Sequence, residues 1–172
     1  MTLVLPYLNR LPRIDPAAWV ADNATVIGDV EIAPEANVWF GCILRGDVAG
    51  IRVGARTNVQ DGTIVHGATG KPPTHIGANV TIGHMALIHA CHLEDGCFVG
   101  MKACVLDGAV VESGAMVAAG AVVPPGKRVA SGQLWGGTPA RPMRDLTDKE
   151  KRYIEELPGR YIGLANAYRR PS

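Results

Sequence analysis

Three histidines interrupt an otherwise apolar stretch of the sequence, the run Ile82 to His92 with the letters IGHMALIHACH. They are His84, His89 and His92, and His66 lies a short distance upstream. Neutral imidazole is a common ligand of zinc and other transition metals, and a catalytic zinc site with three imidazoles keeps a fourth position open. A lone histidine on a strand is more often structural, so this chemistry requires a fold that brings several rings together.

An aliphatic residue recurs at every sixth position through most of the chain. The repeat slips and resumes in four runs: Ile14, Val20, Val26, Ile32, Val38 and Leu44; Val53, Val59 and Val65; Ile76, Ile82 and Ile88; and Leu93, Val99, Val105, Val111, Val117, Val123 and Val129. Six residues accommodate one short strand and a turn, but neither a helix pair nor a hairpin. Stacked units of this length form a parallel β-helix whose interior the aliphatic side chains fill.

This pattern resembles the hexapeptide-repeat superfamily, and the resemblance implies a left-handed parallel β-helix of triangular section with three hexads per turn. We therefore predict a mainly β fold, with a C-terminal α-helix, in a single domain of residues 1–172. The β-helix is expected over residues 14–131. An exit segment over 132–146, which contains the letters WGGTPARPMR, and a helical region over 147–170 are expected to follow.

The start of the C-terminal helical region carries a capping box. The Thr147 hydroxyl can accept a hydrogen bond from the Glu150 amide while the Glu150 side chain reaches back to Thr147. Pro158 and Gly159 are poor helix formers. The sequence therefore predicts that they break the helix and that a second helical piece follows over 160–168.

Three hexads per turn also predict how the histidines lie relative to one another. If each slip is an insertion within one hexad, Arg45, His66 and His89 form a column on one face. Adjacent parallel strands are ~4.8 Å apart, so His66 and His89 can share one metal with N–metal distances of ~2.0–2.1 Å. His84 falls on another face, one turn above Asp61, where a corner separates it from the pair. A neighbouring subunit can supply it instead.

The other histidines and cysteines have weaker claims to chemistry. His75 and His92 fall outside these columns and are expected to be structural. Cys91, two residues after His89, is a minor candidate for a fourth metal ligand or a reactive thiol. The remaining cysteines are interpreted as small fillers of the interior and the turns.

The overall composition excludes several classes of function. The chain has 17 Lys and Arg and 16 Asp and Glu, which are interspersed and give a net charge of +1, so neither nucleic acid nor an anionic membrane is expected as a partner. No run approaches the roughly 18 apolar residues of a membrane span, and Pro6 interrupts a short apolar N-terminus. The four cysteines show no CxxC spacing, which predicts reduced thiols in a cytoplasmic protein.

A set of polar and histidine positions resembles the motifs of the γ-class carbonic anhydrases over roughly residues 14–144. The set is Arg45-Gly46-Asp47, Asn58-Val59-Gln60-Asp61-Gly62, His66, and Gly83-His84 with His89 five residues later. The resemblance implies a homotrimer with the metal between subunits, bound by His66 and His89 of one chain and His84 of its neighbour. The metal is usually zinc, and the family also accepts iron or cobalt.

The resemblance also implies roles for five further residues. Arg45 and Asp47 match an ion pair at the subunit interface, beside the metal. Gln60 matches the residue that hydrogen-bonds the metal-bound water. Asn58 and Asp61 match its polar neighbours, although Asn and Asp also suit the corners of a β-helix on turn chemistry alone.

The implied reaction is reversible hydration of CO2 to bicarbonate by a metal-bound hydroxide, because zinc lowers the pKa of its water to roughly 7. Renewing the hydroxide requires a proton relay to solvent. Active members have a glutamate directly after the aspartate, where this chain has Val48, and an acidic loop where this chain has GATGKPPTH. We interpret His75, at the end of that loop, as a candidate relay because the pKa of histidine suits the task.

Two other classes of function stay open at this stage. Hexapeptide-repeat acyltransferases share the repeat and the exit segment, and use a histidine as general base with acyl-CoA and no metal. A related protein can also hydrolyse acyl thioesters with a metal site. Alternatively, the chain is a non-catalytic trimeric scaffold in which metal binding stabilises the assembly by linkage.

Overall fold

Short strands stack in parallel along most of the chain and form a β-helix of about seven turns. The computed structural model describes residues 2–169. Its first ten strands are β1 Leu3–Leu5, β2 Arg13–Ile14, β3 Trp19–Val20, β4 Thr25–Ile32, β5 Asn37–Val38, β6 Ile43–Val53, β7 Asn58–Val59, β8 Ile64–His66, β9 Thr74–Ile76 and β10 Thr81–Ile82. The rest are β11 Leu87–His89, β12 His92–Leu93, β13 Phe98–Val99, β14 Cys104–Val105, β15 Val110–Val111, β16 Met116–Val117, β17 Val122–Val123, β18 Arg128–Val129, β19 Gln133–Gly137 and β20 Ala140–Asp145, followed by helix α1 Asp148–Arg169.

The repeating aliphatic residues lie in register and define three faces of the β-helix. The first face stacks Val26, Leu44, Val65, Ile88, Val105 and Val123. The second stacks Ile14, Ile32, Val53, Ile76, Leu93, Val111 and Val129. The third stacks Val20, Val38, Val59, Ile82, Val99 and Val117. Nearly all of these side chains are buried, so the repeat predicted from the sequence is confirmed as the core.

All three slips of the repeat fall at one corner of the triangle, between the first and second faces. Strand β6 crosses this corner, and its pairing with β4 shifts register between Gly28 and Val30. The segments that join β8 to β9 and β11 to β12 cross the same corner. The first two slips add residues at this corner, whereas the third, from Ile88 to Leu93, is one residue shorter than a hexad. The regular pairing resumes on either side of each slip.

The stacking extends beyond the predicted repeat at both ends. Strand β1 pairs with β4 and adds a rung before the first aliphatic hexad. Strand β19 pairs with β16, so that Trp135 occupies the position above Val117 that aliphatic residues fill elsewhere. Strand β20 then returns antiparallel to β19 and closes this end of the third face.

The C-terminal helix begins as the capping box predicts. The Glu150 amide donates to the Thr147 hydroxyl at 3.3 Å, and the Thr147 amide donates to the Glu150 carboxylate at 2.9 Å. The predicted break at Pro158 and Gly159 is wrong, because α1 continues through both residues to Arg169. Residue 170, the predicted end of this region, lies outside the described residues.

Tertiary packing explains why the proline does not end the helix. The buried face of α1 includes Ile154, Leu157 and Pro158 itself. Further along the helix, the Tyr161 ring lies 5.4 Å from that of Trp39. These contacts outweigh the one helical hydrogen bond that proline removes. In the described chain, α1 is not apolar enough to cross a membrane.

Candidate metal centre

His66 and His89 lie side by side on the outside of the first face. They are register partners on β8 and β11, and Arg45 is the partner of His66 on the strand below, so the predicted column is confirmed. Nδ1 of His66 and Nε2 of His89 are 3.3 Å apart. Two nitrogens that each lie ~2.0–2.1 Å from a tetrahedral zinc ion are roughly 3.3 Å apart, so this spacing fits a shared metal.

An aspartate contacts the outer nitrogen of each ring of this pair. Oδ1 of Asp47 lies 2.9 Å from Nε2 of His66, and Oδ1 of Asp107 lies 2.6 Å from Nδ1 of His89. Carboxylates in this position hold a histidine ring and fix its tautomer, and they usually accompany metal-binding histidines. Neither the six-residue repeat nor the resemblance to the γ-class carbonic anhydrases identified Asp107 as a partner of His89.

These contacts decide which ring nitrogens carry a proton. A carboxylate only accepts hydrogen bonds, so the N–H groups point outward, at Nε2 of His66 and at Nδ1 of His89. The neutral imidazole, which is the form that binds metals, has a single N–H. In that form both inner nitrogens present lone pairs to each other. Two lone pairs at 3.3 Å repel unless a cation lies between them. The donor set thus fits a borderline divalent ion such as zinc.

Asp47 comes from the extra residues of β6, at the corner where the repeat slips. Besides His66, it contacts the Arg45 guanidinium and accepts a hydrogen bond from the Val48 amide at 2.9 Å. Burial acts to raise the pKa of Asp47, but the hydrogen bonds from His66 and Arg45 outweigh burial and lower that pKa. The carboxylate is therefore ionised at neutral pH.

His84 lies away from this pair in its own chain. It follows β10 at the corner between the third and first faces, where its Nδ1 is 2.8 Å from Oδ2 of Asp61. Asp61 belongs to the turn below, as the repeat predicts, and Gly62 after it adopts the left-handed φ of 71° that this tight corner requires. Within residues 2–169, no group of three or more potential ligands is gathered in one place.

Gln60 and Asn58 belong to a buried polar ladder on the third face. Gln60 is only 4% exposed, and its Nε2 donates to Oδ1 of Asn58 at 3.0 Å. Asn58 is fully buried and donates to the Thr81 hydroxyl at 2.8 Å. These hydrogen bonds give Asn58 a structural role. They also fix the side-chain amide of Gln60 next to the corner that contains Asp61.

A second stacked histidine pair, on the second face, lacks these features. The rings of His75 and His92 lie 4.5 Å apart at an angle of 21°, so they stack flat instead of directing two nitrogens at one point. Burial and, secondarily, His92 lower the pKa of His75. The structure therefore brings neither residue to the candidate metal centre.

Cys91 is poorly suited to either role suggested by its position in the sequence. Its side chain is buried, and burial raises the pKa of its thiol to about 12. Because the thiolate is the form that binds metals and reacts, the buried thiol argues against a fourth ligand or a nucleophile. Cys42 and Cys97 are fully buried, as expected for interior fillers.

Several carbonic anhydrases are similar to this chain in sequence. The mitochondrial gamma carbonic anhydrase 2 of Arabidopsis thaliana is 52% identical over 165 residues, which cover 93% of this chain and 59% of the relative. This chain thus spans about 60% of the length of the plant relatives. The carbonic anhydrase of Geobacillus kaustophilus is 39% identical over 167 residues, which cover 97% of this chain and 91% of the relative. No protein-family model matches the chain.

A solved structure shares the whole architecture. The hexapeptide transferase family protein from Anaplasma phagocytophilum superposes with a TM-score of 0.93 at 45% identity, over 96% of this chain and 98% of that one. Its name describes the repeat and a transfer activity, whereas the relatives of similar length include carbonic anhydrases. On sequence and fold together, the chain belongs to the γ carbonic anhydrase family.

Proposed function

We propose that the protein catalyses the reversible hydration of CO2 to bicarbonate at a metal ion bound by His66, His89 and the equivalent of His84 from a neighbouring copy. The observation that carries this proposal is the 3.3 Å spacing of two lone-pair nitrogens, each backed by a carboxylate. Zinc is the ion we expect, because imidazole suits it, and iron or cobalt are the alternatives that the family resemblance implies. The cytoplasmic location remains a prediction from composition.

The outside of the first face supports association with further copies. The residues two positions before Arg45, His66 and His89 point to the same side and are apolar: Ile43, Ile64 and Leu87. Ile43 is 38% exposed and Ile64 is 43% exposed in the single chain. An apolar column beside polar, site-forming residues is typical of an interface.

The two borders of the first face suggest how copies associate. One border carries Asp47 and Asp107 beside the histidine pair, and the other carries His84 with the exposed Met85. A head-to-tail contact between unlike borders, closed into a ring, brings His84 of one chain to the histidine pair of the next. We propose a homotrimer, which provides three such sites.

Within this proposal, His66, His89 and a neighbour's His84 hold the ion, and their aspartate partners fix the rings. When bound there, the ion supplies a Lewis acid that makes water nucleophilic near neutral pH. Gln60 donates through Nε2 to Asn58, which leaves its Oε1 to accept a hydrogen bond from water and orient it toward CO2. CO2 itself needs no charged binding group.

This chain has few side chains near the candidate metal centre that could carry a proton from the site to solvent. Val48, 43% exposed, follows Asp47, and the segment from Gly67 to Pro73 contains no carboxylate. Asp47 cannot fill the role, because His66 and Arg45 hold it in its ionised form with a lowered pKa. We propose that turnover depends on buffer molecules in solution, with His75 as the remaining internal candidate.

The structural similarity to a hexapeptide transferase supports one alternative, acyl transfer or acyl-thioester hydrolysis. A metal-free acyltransferase would use a single histidine as general base. It has no need for two lone pairs that face each other at 3.3 Å, which is why we prefer the metal site. A trimeric scaffold that binds metal without turnover is the outcome expected if the site loads but CO2 is not hydrated.

The test is CO2 hydration by stopped flow, on protein reconstituted anaerobically with zinc or iron to about one ion per chain. We expect turnover well above the buffer rate in the wild type and in the control His92→Ala, and its loss in His89→Ala. A fully loaded wild type without turnover would contradict the proposal and favour the thioester or scaffold alternatives.

A further inference from the structure

Asp107 occupies a rigid corner one rung above His89. Strand β14 pairs with β11, so that Val105 stacks on Ile88, and Asp107 follows two residues later. Gly108 adopts the left-handed φ of 67° and donates to the Ala90 carbonyl at 2.7 Å. The carboxylate therefore reaches His89 from a backbone position that the β-helix holds in place.

The contact between Asp107 and His89 is the shortest of the three that the candidate ligands His66, His84 and His89 make with aspartates. The distance is 2.6 Å, against 2.9 Å for Asp47 with His66 and 2.8 Å for Asp61 with His84. Charge-assisted hydrogen bonds of this kind are short and strong. The side chain of Asp107 is 38% exposed, so solvent competes for the carboxylate, yet the geometry directs it to the ring.

We propose that Asp107 is a positioning residue that fixes the tautomer and the ring orientation of His89, so that Nε2 of His89 presents its lone pair to the metal. This inference rests on the proposed metal site. Asp107 accepts the N–H at Nδ1, and the single remaining nitrogen, Nε2, faces His66. Without Asp107, the ring can rotate or shift its proton to Nε2, which removes a ligand.

Another corner of the same type provides the matched control. Asp95 is also followed by a glycine, Gly96, with a left-handed φ of 64°. Its Oδ1 accepts from the Ala78 amide at 2.7 Å, so this carboxylate serves the corner alone. If Asp107 were only a turn residue, both aspartates would behave alike on substitution.

The first measurement is zinc affinity by competition with a chromophoric chelator. Loss of an aspartate partner typically weakens metal binding about 10- to 100-fold, so we expect a loss in this range for Asp107→Ala and none for Asp95→Ala. Asp107→Asn keeps an acceptor of the same size, and we expect it to restore most of the affinity. This variant also guards against a folding defect in Asp107→Ala.

The second measurement needs no metal. Long-range 1H–15N NMR spectra of the metal-free protein report the tautomer of each histidine. We expect His89 to carry its proton at Nδ1 in the wild type and in Asp107→Asn, and to shift toward Nε2 in Asp107→Ala. An unchanged tautomer together with wild-type zinc affinity in Asp107→Ala would overturn the inference.

The two readouts separate failure of this inference from failure of the metal site. If His89→Ala binds zinc as tightly as the wild type, the proposed site is wrong, and the NMR tautomer alone decides the role of Asp107. If His89→Ala loses zinc and Asp107→Ala does not, the metal site stands and Asp107 is a turn residue.

Discussion

At the scale of single residues, each of the three candidate ligands makes a contact of 2.9 Å or less with an aspartate of its own chain. These contacts turn exposed or half-buried histidines into rings of fixed orientation. His75 and His92, which have the same strand spacing, stack on each other instead. The aspartate partners thus separate the candidate site from an ordinary histidine pair.

A glutamate at position 48 should speed turnover where proton transfer is limiting. Val48 is 43% exposed beside Asp47, so a carboxylate fits there without burial. A positioned proton-transfer group contributes a factor of about 100 or more in favourable cases, and we expect Val48→Glu to raise the rate about tenfold in dilute buffer. Stopped flow at low and high buffer concentration measures this. Equal rates in dilute buffer would contradict it, and Leu11→Glu is an exposed control.

His75 can be tested in the same assay. Its pKa is lowered, so the ring is neutral near pH 7 and able to accept a proton. If His75 is the relay, His75→Ala lowers turnover in dilute buffer, and added imidazole restores it. Unchanged turnover in dilute buffer would exclude His75, as its position on the second face already suggests.

Sequence reasoning identified the two stacked histidines of the candidate metal centre but not Asp107. The column of Arg45, His66 and His89 followed from the period, because register in a β-helix is fixed once three hexads make a turn. Val105 lies one turn above Ile88 in the repeat and Asp107 follows it by two residues, so the repeat could have revealed Asp107 next to His89. It was missed because an Asp-Gly pair at a corner is normally explained by turn chemistry.

At the scale of elements, the β-helix concentrates its irregularities where the candidate site lies. The extra residues of β6 supply Asp47, and the other two slips lie beside His66 and His89. Changes of length at a corner preserve the buried rungs and alter only the residues that project from them. The break predicted at Pro158 failed for the opposite reason, since packing against the β-helix overrides local helix propensity.

The capping box of α1 should make helix stability depend on acid pH. The Arg144 guanidinium and the Thr147 amide hydrogen-bond Glu150 and lower its pKa well below the usual value. The folded-state pKa is the lower one, so this stabilisation is present above the unfolded pKa of ~4.3 and is lost as pH falls. We expect Glu150→Gln to lower the urea midpoint more at pH 7 than at pH 2. Glu155→Gln, on the same helix, is the control.

A constant difference between Glu150→Gln and the wild type across this pH range would show that the carboxylate charge does not stabilise the helix start. The side chain is partly exposed, with a fractional exposure of 25%, so added salt should also reduce the difference.

At the scale of the whole molecule, the candidate site is incomplete in one chain. The histidine pair and His84 lie on opposite borders of the first face, and Ile43 and Ile64 are exposed between them. In the proposed homotrimer, association of copies would bury the apolar column and complete the ligand set. The sequence predicted this arrangement through the position of His84, but a single chain cannot supply its neighbour.

A charge in the apolar column should dissociate the assembly. Ile64 is 43% exposed in the single chain, so Ile64→Lys leaves the fold of the monomer intact while placing a charge in the proposed interface. Sedimentation velocity should show a shift from a trimer toward a monomer of 18.2 kDa, with weaker zinc binding. Leu11→Lys, at a position that is 62% exposed, is the control. An unchanged assembly would refute this interface.

Mixing two inactive variants tests the shared site most directly. His84→Ala keeps the histidine pair and His89→Ala keeps His84, so neither homotrimer has a complete site. After co-refolding at equal amounts, random assembly gives about a quarter of the sites a full ligand set, and we predict about a quarter of wild-type zinc binding and CO2 hydration. No recovery in mixed trimers, or full activity of His84→Ala alone, would contradict a metal site shared between subunits.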